Sequence, residues 1–98
     1  MRRLKSFDQE LSRRLRKPAY AQGFLTTLME GPEGLDAAEA LRQMIRIMGI
    51  KEFAQLTGFP APNLVAFAKG RRNFKPETLD LLLRPFRLRT RVVLEKAP

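Results

Sequence analysis

Within residues 69–75, Lys69, Arg71, Arg72 and Lys75 place four cations beside one neutral amide, Asn73, and one glycine, Gly70. Guanidinium and ammonium groups at this density do one kind of chemistry: they donate hydrogen bonds to phosphate oxygens and neutralise them. Side chains that make or break covalent bonds are nearly absent. The chain has no Cys and no His, and its only serines are Ser6 and Ser12, so zinc chelation, thiol attack and imidazole base catalysis have nothing to use. Glu30, Glu33, Asp36 and Glu39 form an acidic group, but they bracket a Gly/Pro loop and a helix start, where acids complement the helix dipole more readily than they make an acid and base pair. A non-enzymatic protein with no metal and no cofactor is expected.

The stretch that must hold those cations in place is residues 49–70, GIKEFAQLTGFPAPNLVAFAKG. Ile50, Phe53 and Ala54 fall on one side of a first helical run, and Gly58 stands where a left-handed stop is required. Phe59 opens a second apolar set, Leu64, Phe67 and Ala68 follow at helical spacing, and Gly70 closes it in the same way. Helices this short bury their apolar faces only against one another and a supporting bundle, and Ala54 allows a close crossing. A helix, a glycine turn and a second helix opening onto a basic loop is how a helix-turn-helix presents itself to duplex DNA.

On the second helix the outward set is Ala61, Pro62, Asn63, Ala66 and Lys69, of which only Asn63 and Lys69 hydrogen-bond through their side chains. Asn63 suits adenine and the alanines a thymine methyl, so direct base reading is expected to be weak. Arg71, Arg72 and Lys75 are then the phosphate contacts, with Asn73 as a neutral donor and backbone N–H groups at the helix starts beside them. Pro60 and Pro62 also have a structural role, because proline stiffens a first helical turn without loss of a hydrogen bond.

At 98 residues the chain is expected to form one domain, 1–98, around a single modest core. Its net charge of +9 is uneven: residues 1–17 carry seven Lys/Arg against two acids, residues 18–50 two against four, and residues 51–98 ten against four. A basic balance of this size has a generic solvated surface as its plain reading, and its coincidence with the two-helix unit points further, to double-stranded DNA. No apolar run approaches the roughly 18 residues of a membrane span. The charged start has no apolar stretch after it, so a soluble cytoplasmic protein without a secretory signal or membrane contact is expected.

The supporting elements read as helices. Residues 1–17 include a basic N-terminal helix over 4–17, with Phe7, Leu11 and Leu15 at every fourth position and a Ser6/Gln9 capping spacing. Arg13, Arg14, Arg16 and Lys17 lie mainly off that stripe, as a solvated face or as an accessory arm on phosphates. Pro18 breaks the chain and starts the next helix, which carries Tyr20, Phe24, Leu25 and Leu28 and stops at Gly31-Pro32. Asp36 and Glu39 form a cap signature before Leu41, Met44, Ile45 and Met48, a regular stripe in which both methionines read as core. The supporting helices thus occupy 18–48 and the helix-turn-helix 49–70. A packing helix over 76–86 begins at Pro76 with Leu79, Leu82, Leu83 and Phe86 on its apolar face, and Pro85 ends or kinks it near Arg84.

Residues 88–95 change period. Leu88, Thr90, Val92 and Leu94 alternate with Arg89, Arg91, Val93 and Glu95, which predicts a short β-strand. With no second strand in the chain, its partner is expected to be another copy. Leu88, Thr90, Val92 and Leu94 then form a homodimer interface that sets two DNA-binding units at a fixed separation; a frayed tail, or pairing with residues ahead of Ser6, stays open.

Taken in order, LRKPAYAQGFLTTL over 15–28, AEALRQMIRIMGI over 38–50, Gly49-Ile50-Lys51-Glu52-Phe53-Ala54, and Gly70 with Asn73 and Lys75-Pro76-Glu77-Thr78-Leu79 resemble the addiction-module antidote proteins of the HigA type. These belong to the lambda-repressor-like (XRE) class of helix-turn-helix domains, and the resemblance covers nearly the whole chain. With the predicted tail, it implies an all-α, five- to six-helix lambda-repressor-like bundle with a short C-terminal β-strand. It further implies a small bacterial DNA-binding antitoxin, nucleoid-associated, that represses its own operon and caps a RelE/HigB-like ribonuclease toxin. This chain departs from the family at Pro60-Ala61-Pro62-Asn63, where the family commonly carries Ser-Arg-Glu at the start of the recognition helix. Three functions follow: a DNA-binding transcriptional regulator that is the antitoxin of a type II module, a stand-alone DNA-binding or nucleoid-associated protein without a toxin, and a protein-interaction module with a degenerate helix-turn-helix.

Overall fold

A computed structural model describes residues 7–91. Over them the chain is all-helical: α1 Gln9–Leu15, α2 Pro18–Glu30, α3 Ala37–Met48, α4 Ile50–Thr57, α5 Ala61–Ala68 and α6 Pro76–Leu83, followed by a 3-10 turn, Arg84–Phe86. The third helix is central. It contacts α1, α2, α4 and α5, while α4 packs on α5 and the 3-10 turn closes against α2, α4 and α6.

The helix with the most regular apolar stripe takes that central place because its Leu41, Met44, Ile45 and Met48 can all be buried at once, and all four are fully buried. Its start is fixed by a capping box: Asp36 Oδ1 accepts from the Glu39 N–H at 2.8 Å, and Glu39 Oε1 accepts from the Asp36 N–H at 3.2 Å. Leu15, Phe53, Leu64, Phe67, Leu82 and Phe86 complete the core, with the Phe53 and Phe86 rings tilted at 6.0 Å between centroids.

The first helix is shorter than its sequence pattern and starts elsewhere. Asp8 is its cap, accepting from the Leu11 N–H at 3.0 Å, whereas Ser6 and the residues before it lie outside the described residues. Tertiary contact selects this start. The Asp8 N–H donates to the Ile47 carbonyl at 3.0 Å, and the buried Ser12 hydroxyl donates to the Met48 carbonyl at 2.6 Å. The last carbonyls of α3 have no acceptor role left within their own helix, so they dock α1 instead.

One residue, Gly49, carries the chain from α3 into α4 at φ 100°. A Cβ at that position would run into the Glu52 carboxylate and lie 2.9 Å from the Phe7 ring, so the short connection exists because the residue is glycine. At the far end of α4, Gly58 adopts the left-handed stop its position requires, φ 74°. Pro85 halts α6 at Leu83, and the chain tightens into the 3-10 turn.

The expected C-terminal strand is not formed over Leu88 to Arg91. Leu88 and Thr90 bond within their own chain: the Leu88 N–H donates to the Leu83 carbonyl at 3.3 Å, and Thr90 donates twice to Asp80 Oδ1, from its N–H at 2.6 Å and its hydroxyl at 2.8 Å. Arg87, at φ 58°, makes the bend that allows this return to α6. The Leu88 and Thr90 donors are thus already satisfied by α6, and no ladder forms over the described part of this segment. Val92 and Leu94 lie outside the described residues.

Two measurements test these joints. Gly49→Ala places a side chain at φ 100°, and a loss of about 2 kcal/mol is expected in urea denaturation; unchanged stability would show the α3–α4 link to be unconstrained. The two Thr90 bonds, aided by the nearby Arg89 and Arg84 charges, hold the Asp80 carboxyl below its ordinary range. A carboxyl lowered by folding stabilises the fold above its unfolded value of about 3.9, and that contribution is lost as pH falls through the lower folded value. The Thr90 amide resonance should therefore titrate with a midpoint below the ordinary carboxyl value of about 3.9, and Asp80→Asn should remove the titration.

Candidate nucleic-acid interface

Leu64, Phe67 and Ala68 of α5 are buried toward the rest of the bundle, which fixes what the opposite edge presents. Pro62 and Lys69 are exposed there, Asn63 and Ala66 are half-buried, and Ala61 rests partly on the core. Four of the five residues expected to face outward therefore share an accessible edge. Arg71, Arg72, Asn73 and Lys75 follow, all exposed, in the loop that leads to α6.

That loop is held by several independent contacts. Gly70 at φ 76° lets its own N–H reach the Phe67 carbonyl at 3.0 Å and the Arg71 N–H reach the Ala66 carbonyl at 2.9 Å, the Schellman closure of a helix. Phe74 stacks on Phe67 with ring centroids 4.6 Å apart and planes 12° from parallel. Phe59, from the α4–α5 turn, meets Phe74 edge-on at 5.4 Å.

Two arginines of α3 add donors to the carbonyls at the end of α5. Arg42 Nε donates to the Phe67 carbonyl at 2.8 Å, and Arg46 Nε donates to the Ala68 carbonyl at 3.1 Å. Arg42 reaches further, donating from Nη2 to the Arg72 carbonyl at 3.2 Å and to Asn73 Oδ1 at 2.7 Å, with its guanidinium carbon 4.6 Å from the Phe67 ring centre. A cation at the C-terminal end of a helix also meets the negative end of the helix dipole. Sequence reasoning had counted these two arginines only as charge. Their signal was their spacing, i and i+4 alongside an apolar stripe already complete without them.

The predicted contact residues are thus joined unevenly. Arg72 Nη1 donates to Asn63 Oδ1 at 3.3 Å, and its guanidinium carbon lies 5.6 Å from the Phe74 ring centre. Asn73, expected as a donor to phosphate, has its amide oxygen committed to Arg42. The helix starts offer less than expected. Pro62 and Pro76 have no N–H, Asn63 and Leu64 return theirs to the Pro60 carbonyl, and Thr78 and Leu79 return theirs to the Lys75 carbonyl. Arg13 on α1 and Arg16 and Lys17 just after it are exposed, while Arg14 pairs with Glu10 at 2.7 Å on the surface, a contact of small energetic weight.

Among the described residues no cluster of three or more metal-ligating side chains forms, and no helix is long and apolar enough to cross a membrane. Comparison with known proteins adds no assignment: no family model, no curated protein and no solved structure matches the chain.

Arg42→Ala leaves the Phe67 carbonyl and the Asn73 side chain without their shared donor. A stability loss of about 1–3 kcal/mol is expected, accompanied by faster amide hydrogen exchange at Gly70 and Arg71 than elsewhere. Uniform exchange across the molecule would show that Arg42 does not hold this loop.

Proposed function

We propose that the chain is a DNA-binding regulator that lays α5 against the major groove of double-stranded DNA and grips the flanking phosphates from the loop after it. The observation that supports this reading is the pairing of a helix edge bare of large side chains with the exposed cations Lys69, Arg71, Arg72 and Lys75 in a loop anchored to the core. A groove of roughly 12 Å admits a helix whose outer edge is small. Cations placed beside it meet the phosphate walls.

Because α5 offers one amide and one ammonium to base edges, most of the affinity comes from phosphates, and sequence selectivity is modest. The resemblance to antidote proteins of the HigA type supports a narrower form of the reading: a lambda-repressor-like, homodimeric, cytoplasmic antitoxin that represses its own operon. Co-purification of a small RelE/HigB-like ribonuclease with the tagged chain from its native host would support that form, and its absence from an otherwise intact preparation would leave the stand-alone regulator.

Binding measured on several duplexes over a salt series tests the main proposal. A steep decline of log K with log salt is expected, with Arg71→Ala and Lys75→Ala each weakening binding to every duplex and each reducing the slope by about one. A shallow slope combined with sharp base preference would overturn it.

A further inference from the structure

Resting on the DNA-binding reading above, we propose that Asn63 and Arg72 act together as a donor-rich reader of guanine. An arginine side chain carries N–H donors and no acceptor, so the amide atom it faces must be the Asn63 carbonyl. At 3.3 Å from Arg72 Nη1, that oxygen is engaged before any ligand arrives. A free asparagine reads adenine with one donor and one acceptor, on N7 and N6. Here one lone pair of that oxygen is taken and a guanidinium cation stands beside it, which disfavours the approach of the adenine N6 amino group and leaves the NH2 group as the better reader.

Arg72 adds the N–H groups it does not spend on Asn63, so the pair presents mainly donors to the groove. Guanine is the base that matches them, because its major-groove edge carries two acceptors, N7 and O6. Adenine, by contrast, would set its N6 amino group against a donor, and cytosine offers only an amino group. The pair is also well placed. Asn63 lies in the first turn of α5, the end of a recognition helix that approaches base edges. Arg72 is fixed from behind, its carbonyl accepting from Arg42 at 3.2 Å and its guanidinium carbon 5.6 Å from the ring centre of Phe74, which itself stacks on Phe67. Arg42 is therefore a positioning residue for this contact, and little ordering is left to be done on binding.

The full chain and its Arg72→Ala variant are compared on three short duplexes of equal length: one of A·T pairs only, one rich in G·C pairs, and the same G·C-rich duplex with each guanine replaced by 7-deazaguanine, which lacks the N7 acceptor. The wild-type chain should prefer the G·C-rich duplex by about tenfold, the scale of one good bidentate base contact, and should lose most of that preference on the 7-deazaguanine duplex. Arg72→Ala should reverse the preference toward A·T, because the Asn63 carbonyl is released to pair with adenine. A cation serving only as a phosphate contact predicts instead an equal loss on all three duplexes; that result, or wild-type indifference to 7-deazaguanine, overturns the inference while leaving the DNA-binding reading in place. Failure of the wild-type chain to bind any duplex overturns both. The 7-deazaguanine arm needs no variant, and a thermal melt shows whether Arg72→Ala, a change at an exposed side chain, keeps the fold.

Discussion

An α-helix leaves its last carbonyls without partners, and how this chain supplies them governs the rest of its structure. The α5 helix is eight residues long, too short to persist in water by itself. Lys69 and Arg71 close its final turn through their backbone N–H groups, while Arg42 and Arg46 reach across from α3 to the Phe67 and Ala68 carbonyls. The same solution recurs elsewhere. Asp8 and Ser12 serve the end of α3, and Gln22 Nε2 donates at 2.9 Å to the Phe86 carbonyl at the end of the 3-10 turn. Polar cross-links thus run from the first half of the chain to helix ends, and among the described residues no buried side-chain polar atom is left without a partner.

This changes what the charge of the molecule means. The two basic residues of 18–50, Arg42 and Arg46, both face helix ends, so that stretch presents its four acids with its cations largely occupied. Basic surface is left to the segments on either side, and within the later one it stands in two exposed groups, Lys69, Arg71, Arg72 and Lys75 after α5 and Arg84, Arg87, Arg89 and Arg91 after α6. A net charge of +9 is therefore a poor measure of ligand-facing charge here, because part of it is spent on backbone carbonyls.

What could be read from the sequence was local, and what could not was tertiary. The stripe of α3, its Asp36/Glu39 box, the left-handed Gly58 and the break before Pro85 each follow from spacing or backbone sterics, which need no partner to be evaluated. The sequence spacing puts the first cap at Ser6; Asp8 takes that role, with its N–H bonded to the Ile47 carbonyl of another helix. The period-two run from Leu88 predicts a strand that is not formed over the described residues. Alternation describes an extended backbone, whereas a strand needs a ladder, and Asp80 had already claimed the Thr90 N–H. At the candidate interface, the outer edge of α5 and the basic loop were visible as spacing and composition. The Arg72 contact to Asn63 and the commitment of Asn73 to Arg42 were not, since each joins residues whose proximity depends on the Gly70 turn and the Phe67–Phe74 stack.

The prolines of α5 give this arrangement its direction. Pro62 removes one N–H from the first turn and Asn63 returns its own to Pro60, so the start of α5 offers a phosphate fewer free N–H groups than a helix N-terminus ordinarily does. Anion-binding capacity shifts to the other end, where Arg71, Arg72 and Lys75 stand near the negative pole of the helix dipole. Cations there would ordinarily be tied to stabilising the helix terminus, and drawing them toward DNA would loosen it. Arg42 and Arg46 resolve that conflict: anchored on α3, they keep the Phe67 and Ala68 carbonyls satisfied whatever the loop side chains do. On the proposed function, the half-buried arginines of α3 hold the helix so that the exposed cations of the loop are free to meet DNA.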